Sequence, residues 1–472
     1  MDILLATGYY PPEGGSGSRL AGELARFLAA AGHAVTVLAP AASYYVEGGT
    51  GYTAPTTREG PCGCAAGTGM GTVDTAPTTR EGPCGCAAGT GMGTGYTAPT
   101  MREGPRGCAA GTGRGIGRER VAGSIRVVRA GLPSSKRLPH KVARGYEHLV
   151  RPFALLPAGL RLPAPDLVYG FSLQPAGVAA VVALARQYGW RQAVRRRSGP
   201  GLVLHIEDLF PDNAVDTGLI PNGPVASALS AGMKSLLRAA NRVLVHAPGL
   251  VPLLAGRGIE AESIPNWVDC GRFDHGPDEG RARFFPDCGK RCVALYAGIL
   301  GLAQGMDDLL GLAEATRGRD DLVLAVVGDG PCREPFAAEV RRRGLSHVRL
   351  LPLVPPVEYP RLVAAGDVFL VLLPERVKYP VVPSRIGDGL AAARPLLAAL
   401  PDGDARRAVE ESGGGIVVPP GSPALLAGEL VRLARNAVLR KQLGETGRRF
   451  ALAHLDLPVV LGRLEKMLVS RR

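Results

Sequence analysis

What most limits this chain is a rhythm of short apolar runs, each followed by a stretch of helical spacing, which proceeds along the sequence and then begins again. Residues 3–6 form the first run, after which Leu20, Leu24, Phe27, Leu28 and Ala31 mark one helix face that stops at Gly32. Further runs fall at 35–38, 125–128, 167–169, 202–204 and 243–245, with helical stretches near 175–186, 223–239 and 248–255. The pattern restarts at 293–297, passes a glycine-rich turn, and enters a helix containing Met306, Leu309 and Leu310. Runs at 322–327, 348–351, 368–372, 396–400 and 416–418 complete a second set. Apolar strands alternating with helices imply parallel, doubly wound sheets. The expected class is α/β, with one domain over 1–265, a second over 266–454, and 455–472 as a helix packing back on the first. Ile264-Pro265-Asn266-Trp267-Val268-Asp269 reads as the hinge. Such halves take ligand between them, at the carboxyl ends of their strands.

The rhythm is broken by residues 44–118. Three near-identical 22-residue units start at Thr53, Thr75 and Thr97. A solenoid would need an apolar stripe to stack, and each unit has only scattered Ala, Met and Cys. It cannot bury enough surface to offset its backbone entropy. The reading is a disordered insert in the first domain. Cys62/Cys64 and Cys84/Cys86 lack the His or second fixed pair of a zinc site, and no metal is expected.

Charge and targeting narrow the partners. The net charge is +13. Lys136, Arg137, Lys141, Arg144 and Arg151 alternate with Leu138, Val142, Tyr146, Leu149, Val150 and Phe153, which suits either a surface lying on an anionic membrane or an ordinary solvated basic helix. Arg191 and Arg195–Arg197 read as a solvated cluster. No nucleic-acid module accompanies either, so nucleic acid is not an expected partner. The acidic start, Met1-Asp2, is unlike a secretory signal, and no run approaches the roughly 20 apolar residues of a spanning helix. The expected location is cytoplasmic, with peripheral contact on the inner face of the membrane as an option.

Four segments carry possible chemistry. Pro11-Pro12-Glu13-Gly14-Gly15-Ser16 lies between a strand and its helix, where Gly14 and Gly15 let backbone approach an anion at a helix start. Tyr296-Ala297-Gly298-Ile299-Leu300-Gly301-Leu302-Ala303-Gln304-Gly305 occupies the same place in the second domain. Its N–H groups could cradle a pyrophosphate, with Gln304 as a further donor. Gly328, Asp329 and Gly330 end the next strand and could border a base pocket. In the fourth segment Ser384 caps a helix, Arg385 offers charge to phosphate oxygens, and Asp388, about one turn on, could accept both hydroxyls of a ribose. Turn chemistry and a capped surface helix remain the plain alternatives for all four.

Taken together these segments resemble the family 4 glycosyltransferases of GT-B fold, nearest the bacterial surface-polysaccharide, fucosamine transferase-like branch. The Pro-Pro-Glu-Gly-Gly loop, Gly32-His33-Ala34-Val35-Thr36-Val37, Asp208-Leu209-Phe210-Pro211, the Ile264–Asp269 hinge, the Tyr296–Gly305 loop and Val382-Pro383-Ser384-Arg385 follow in that family's order. The resemblance spans nearly all the chain outside 44–118. It implies two Rossmann-like domains facing across a cleft, and retaining transfer of a sugar from a UDP- or GDP-linked donor. No cofactor or metal is implied, since helix N-termini and basic groups stabilise the diphosphate. Donor and phosphate contacts fall on Gly14, Gly15, Gly298, Gly301, Gln304, Gly305, Ser384 and Arg385. Nucleoside contacts fall on Gly328, Asp329, Gly330 and Asp388. Acceptors in this branch are typically lipid-linked sugars; other glycans belong to the same expectation.

The chain also departs from the family. Of two glutamates eight positions apart, the second is Asp388 and the first falls on Pro380. A familiar Asn is Ile299, and the Gly before Arg394-Pro395 is Ala393. Where many relatives carry a functional His, this chain has Glu207, with His205 two residues earlier on the same strand face. The candidate catalytic residues are Asp208, His205 and Glu207; His205 is either a core histidine or an acceptor-side group, and Asp208 either meets the acceptor hydroxyl or caps a loop. A sugar-nucleotide 2-epimerase and a non-catalytic descendant share the architecture and stay open.

Overall fold

A computed structural model describes residues 1–13, 15–41, 117–120, 125–131, 150–194, 198–216, 220–301 and 303–470. Gly14, Leu302, the repeat up to residue 116, the basic stretch from Lys136 to Arg144 and Arg195–Arg197 lie outside the described residues. Gly117 and Arg118, at the end of the repeat, belong to a strand.

The first sheet has eight strands. They are β1 (Asp2–Thr7), β2 (Ala34–Pro40), β3 (Gly117–Arg120), β4 (Ile125–Ala130), β5 (Leu167–Phe171), β6 (Gly201–Ile206), β7 (Arg242–Val245) and β8 (Glu262–Ser263). Their order is β3-β4-β2-β1-β5-β6-β7-β8. Every pairing is parallel except β3 with β4, an antiparallel edge that the periodicity does not announce. The second sheet contains β9 (Cys292–Ala297), β10 (Leu322–Val327), β11 (Val348–Leu351), β12 (Val368–Leu372), β13 (Leu396–Ala399) and β14 (Gly415–Val418). Its order, β11-β10-β9-β12-β13-β14, is wholly parallel and reverses between β9 and β12. That reversal is the crevice where doubly wound sheets take ligand. In the first sheet it falls between β1 and β5.

Unbroken apolar strands follow from burial on both faces. In β1, Leu4 and Ala6 join one cluster while Ile3 and Leu5 join another. In β10, Val323, Ala325 and Val327 face one side, and Leu322, Leu324 and Val326 the other. The last helix, Leu457–Val469, buries Val460, Leu461 and Leu464 in the cluster that holds Leu20 and Leu24 of the Ser16–Ala30 helix. Both sheets thus lie within one compact unit.

The halves meet through loops at the carboxyl ends of their strands. Residues 377–383, between β12 and the Ser384–Ala391 helix, reach into the first half, where Tyr379 lies in the apolar cluster of Leu204 and Ile206. The Leu209 N–H donates to the Tyr379 hydroxyl, and the Gly249 N–H to Asp404 Oδ2 at 2.7 Å. Pro380 sits against Gly249, so close that a Cβ there would lie 3.0 Å from the proline. Pro380 is thereby given to packing between the halves.

Candidate active site

Three helices begin at the cleft without a side-chain cap. They are Ser16–Ala30 behind Gly15, Met306–Ala315 behind Gly305, and Ser384–Ala391 behind Pro383. Ser384 is the first helical residue rather than the cap, because Pro383 occupies that position; the expected Ser384 cap is corrected here. Uncapped first-turn N–H groups carry partial positive charge and stay free for an anion.

The glycines of the second half have a backbone reason to be there. A Cβ on Gly328 would lie 1.8 Å from the Gly298 carbonyl oxygen, and one on Gly330 would lie 2.4 Å from that of Leu300. The Gly298 N–H donates to Val327 O at 2.9 Å, Leu300 N–H to Asp329 O at 2.9 Å, and Cys332 N–H to Leu300 O at 2.9 Å. Asp329 accepts from the Gly330 N–H at 2.7 Å. Two loops are thus laced together by main chain, and Tyr296 adds a bond from its hydroxyl to Ile299 O at 2.8 Å. The Ile299 side chain is left 66% exposed.

Over this platform lies Arg385. Its guanidinium stacks 4.9 Å from the Tyr296 ring centre, it donates to Gln304 Oε1, and its side chain lies 3.1 Å from where a Gly298 Cβ would stand. The residue is buried, yet Nη1 has no hydrogen-bond partner. A buried cation with an open donor beside two uncapped helix starts can take an anion. Gly298, Gln304, Gly305, Ser384 and Arg385 are therefore brought together, with Gly301 in the same loop.

Asp388 lies deeper, 6% exposed. Oδ2 accepts from the Tyr359 hydroxyl at 3.2 Å, and Oδ1 is 3.7 Å from Arg19 Nη2 of the first half. Burial pushes its carboxyl above the usual range, and Arg19 opposes that shift. Arg19 also reaches Glu23, which accepts from the Trp267 indole at 3.0 Å and faces Arg272 at 3.6 Å. Linked charged groups thus run from the Ser16–Ala30 helix, past Trp267, to the Ser384–Ala391 helix. Sequence reasoning missed Arg19 and Tyr359, although Arg19 and Glu23 show the four-residue spacing of a helical ion pair.

On the first half, His205 is fully buried. Its Nδ1 shares a hydrogen bond of 2.9 Å with the Tyr169 hydroxyl, and Phe171 packs edge-on at 5.1 Å. Burial, followed by the neighbouring His246, pushes its pKa down to about 3. Glu207 lies 3.5 Å from His205 Nε2, and burial raises its carboxyl above the ordinary value. Asp208, next in sequence, is exposed. Of the basic stretch before β5, Arg151 is buried and donates to Ala41 O, so it is not a membrane-facing charge.

The fold is that of the GT-B glycosyltransferases: two parallel-sheet Rossmann-like halves joined through a hinge. Residues 291–436, the half holding Arg385 and the glycine platform, match the family "Glycosyl transferases group 1". Among curated proteins, the chain is 29% identical over 205 residues to the putative colanic acid biosynthesis glycosyl transferase WcaI of Escherichia coli K12. That alignment takes in 41% of this chain and spans 50% of the relative's length. Sucrose-phosphate synthase from Thermosynechococcus elongatus superposes with a TM-score of 0.63 at 15% identity, over the whole of both chains. Anabaena HepE in complex with UDP gives 0.60 at 15% identity, again over both whole chains.

Proposed function

We propose that this protein is a retaining glycosyltransferase that moves a sugar from a UDP- or GDP-linked donor to a lipid-linked or other glycan acceptor in surface polysaccharide or glycolipid assembly. The observation that carries the reading is the buried Arg385, with its open Nη1, set beside two uncapped helix starts and stacked on Tyr296. The donor diphosphate takes those N–H groups and Arg385, and its developing charge is met without reorganisation as the sugar leaves. Gly15 and Gly301 supply further main-chain donors, and Gln304 fixes the guanidinium. The nucleoside lies along Gly328, Asp329 and Gly330, and Asp388 takes the ribose hydroxyls on lone pairs that Tyr359 and Arg19 leave open. Exposed Asp208 receives the acceptor hydroxyl, with Glu207 and His205 behind it.

The similarity to WcaI, a putative colanic acid biosynthesis enzyme, supports a polysaccharide setting, and HepE crystallised with UDP supports a nucleotide donor. The chemistry calls for no metal or other cofactor. A cytoplasmic protein resting peripherally on anionic membrane completes the proposal. Among the described residues no helix is long and apolar enough to cross a membrane.

The test is to incubate purified protein with nucleotide sugars and extracted lipid-linked acceptors, then assign the anomeric configuration of any product by NMR. Product with the donor's configuration supports the reading, and inverted product removes the retaining assignment. An epimerised sugar formed from donor alone would make the protein a 2-epimerase. Nucleotide binding with no product from any pair would favour the non-catalytic alternative, to which Pro380, Ile299 and Ala393 already point.

A further inference from the structure

The Ser16–Ala30 helix carries Arg19 one turn beyond Gly15, and the guanidinium ends between two carboxylates that belong to different halves. Nη1 lies 3.4 Å from Glu23 of the same helix, and Nη2 lies 3.7 Å from Asp388 Oδ1 on the Ser384–Ala391 helix. Both carboxylates are buried, at 5% and 6% exposed. Glu23 is fixed in turn: the Trp267 indole donates to its Oε2 at 3.0 Å, and Arg272 Nη1 lies 3.6 Å from its Oε1. A forked cation meets two acceptors in this way, which a single ammonium group does not match.

The two contacts on Asp388 differ in kind. Oδ2 accepts a hydrogen bond from the Tyr359 hydroxyl at 3.2 Å. Arg19 Nη2, at 3.7 Å, is beyond hydrogen-bond length from Oδ1, yet near enough for a strong charge interaction away from bulk water. Oδ1 is therefore compensated in charge and still open as an acceptor. Burial pushes the Asp388 carboxyl above its ordinary value; Arg19 is the largest influence against that, ahead of Tyr359, Arg272 and Arg385. These groups come from the Ser16–Ala30 helix, the Tyr359–Ala365 helix, the Cys270–Phe273 turn and Asp388's own helix. The Ala437–His454 helix, also packed on that helix, presents Arg448, which bonds Ala391 O, Cys270 O and Asp274. Arg385 is directed at Tyr296 and Gln304, and Arg272 at Glu23 and Pro356 O, so Arg19 is the cation directed at Asp388. Without it a buried carboxyl takes up a proton more readily, and a protonated Oδ1 donates where it had accepted.

We propose that Arg19 is a positioning residue that acts through Asp388, holding it from across the cleft as an acceptor for the ribose hydroxyls of the nucleotide, so that nucleoside recognition by the second half depends on the first. This rests on the donor reading above. The experiment is calorimetric titration of UDP, GDP and their 2′,3′-dideoxy counterparts from about pH 8 to about pH 4. The proteins are wild type and the Arg19→Gln, Arg19→Lys and Glu23→Gln variants, each first checked by thermal melt. The ratio of dideoxy to ribose dissociation constants isolates the hydroxyl contacts, because titration of the phosphates affects both ligands alike. Wild type is expected to favour at least one ribonucleotide about tenfold at neutral pH and to lose that preference only in acid. Arg19→Gln loses it at a pH about one unit higher, and Arg19→Lys stays closer to wild type. Glu23→Gln leaves the arginine to Asp388 alone and keeps the preference to lower pH. An Arg19→Gln profile that coincides with wild type, or an equal loss of ribose and dideoxy binding, overturns the role of Arg19. If Arg19→Gln does not fold, Glu23→Gln decides, and an unchanged midpoint overturns the role. A wild type that binds ribose and dideoxy nucleotides equally at every pH removes Asp388 from the ribose and Arg19's role with it, but leaves the diphosphate site standing. A wild type that binds neither UDP nor GDP overturns the donor reading itself.

Discussion

The two halves build their parts of the cleft by different means. In the second half the site is main chain laced to main chain: Gly298, Gly328 and Gly330 pass at distances no side chain tolerates, and one cation, Arg385, is laid on top. In the first half it is side chains: His205, Glu207, His246 and Asn266 face one another, and a strap from the other half closes the group through Val382. A main-chain platform is rigid before any ligand arrives. A side-chain cluster closed from across the interface can depend on how the halves sit.

The contrast breaks most visibly at Gly328. If the platform is as tight as its geometry indicates, Gly328→Ala forces the Gly298 loop away and costs about 3 kcal/mol, read as a fall in the urea midpoint. An unchanged midpoint would mean that the loops are loosely held. The next largest effect belongs to the first half. His205 has its pKa lowered from 6.5 to about 3, so between those values the unfolded chain takes up a proton that the folded one refuses. Stability contributed by neutral His205 is therefore present above pH 6.5 and is lost as pH falls, at up to about 1.4 kcal/mol per pH unit. Urea melts from pH 7 to pH 4 should show this slope, and His205→Gln should flatten it; identical slopes would place His205 in a wetter setting.

Two smaller effects sharpen the link between halves. Arg19→Ala and Asp388→Asn, combined in a double-mutant cycle, should show about 1 kcal/mol of coupling, and strict additivity would dissolve the cross-cleft pair. Ala393 adopts a left-handed backbone, φ 54°, a conformation that favours glycine. Ala393→Gly should therefore raise stability by roughly 1 kcal/mol, measured by thermal melt. A loss would show that the alanine side chain makes contacts worth more than its strain.

The sheets were legible because strands buried on both faces must be continuously apolar, and β9, β10 and β12 are. β3 was not legible, since Gly-Arg-Glu-Arg has no strand periodicity and forms only by pairing with β4. The glycine loops were recognisable as special, but sequence offered ligand contact or turn chemistry and not the third reason, one loop pressed on another. Pro380 looked like a missing carboxylate until its contact with Gly249 gave it work. Tyr379 and His246 escaped notice because each matters through a partner more than a hundred residues away, which no local pattern records. His246 did leave one trace, a polar residue directly after an apolar strand at the ligand end of a sheet.

The central claim is that the second half is a preassembled diphosphate site governed by Arg385. Equilibrium titration of UDP and GDP into wild type and Arg385→Ala tests it directly. The account expects saturable binding of at least one nucleotide to wild type, weakened ten- to about a hundredfold in the variant, the scale of a lost charge-assisted bond. Binding of neither nucleotide to wild type, or equal binding by the two proteins, would contradict it.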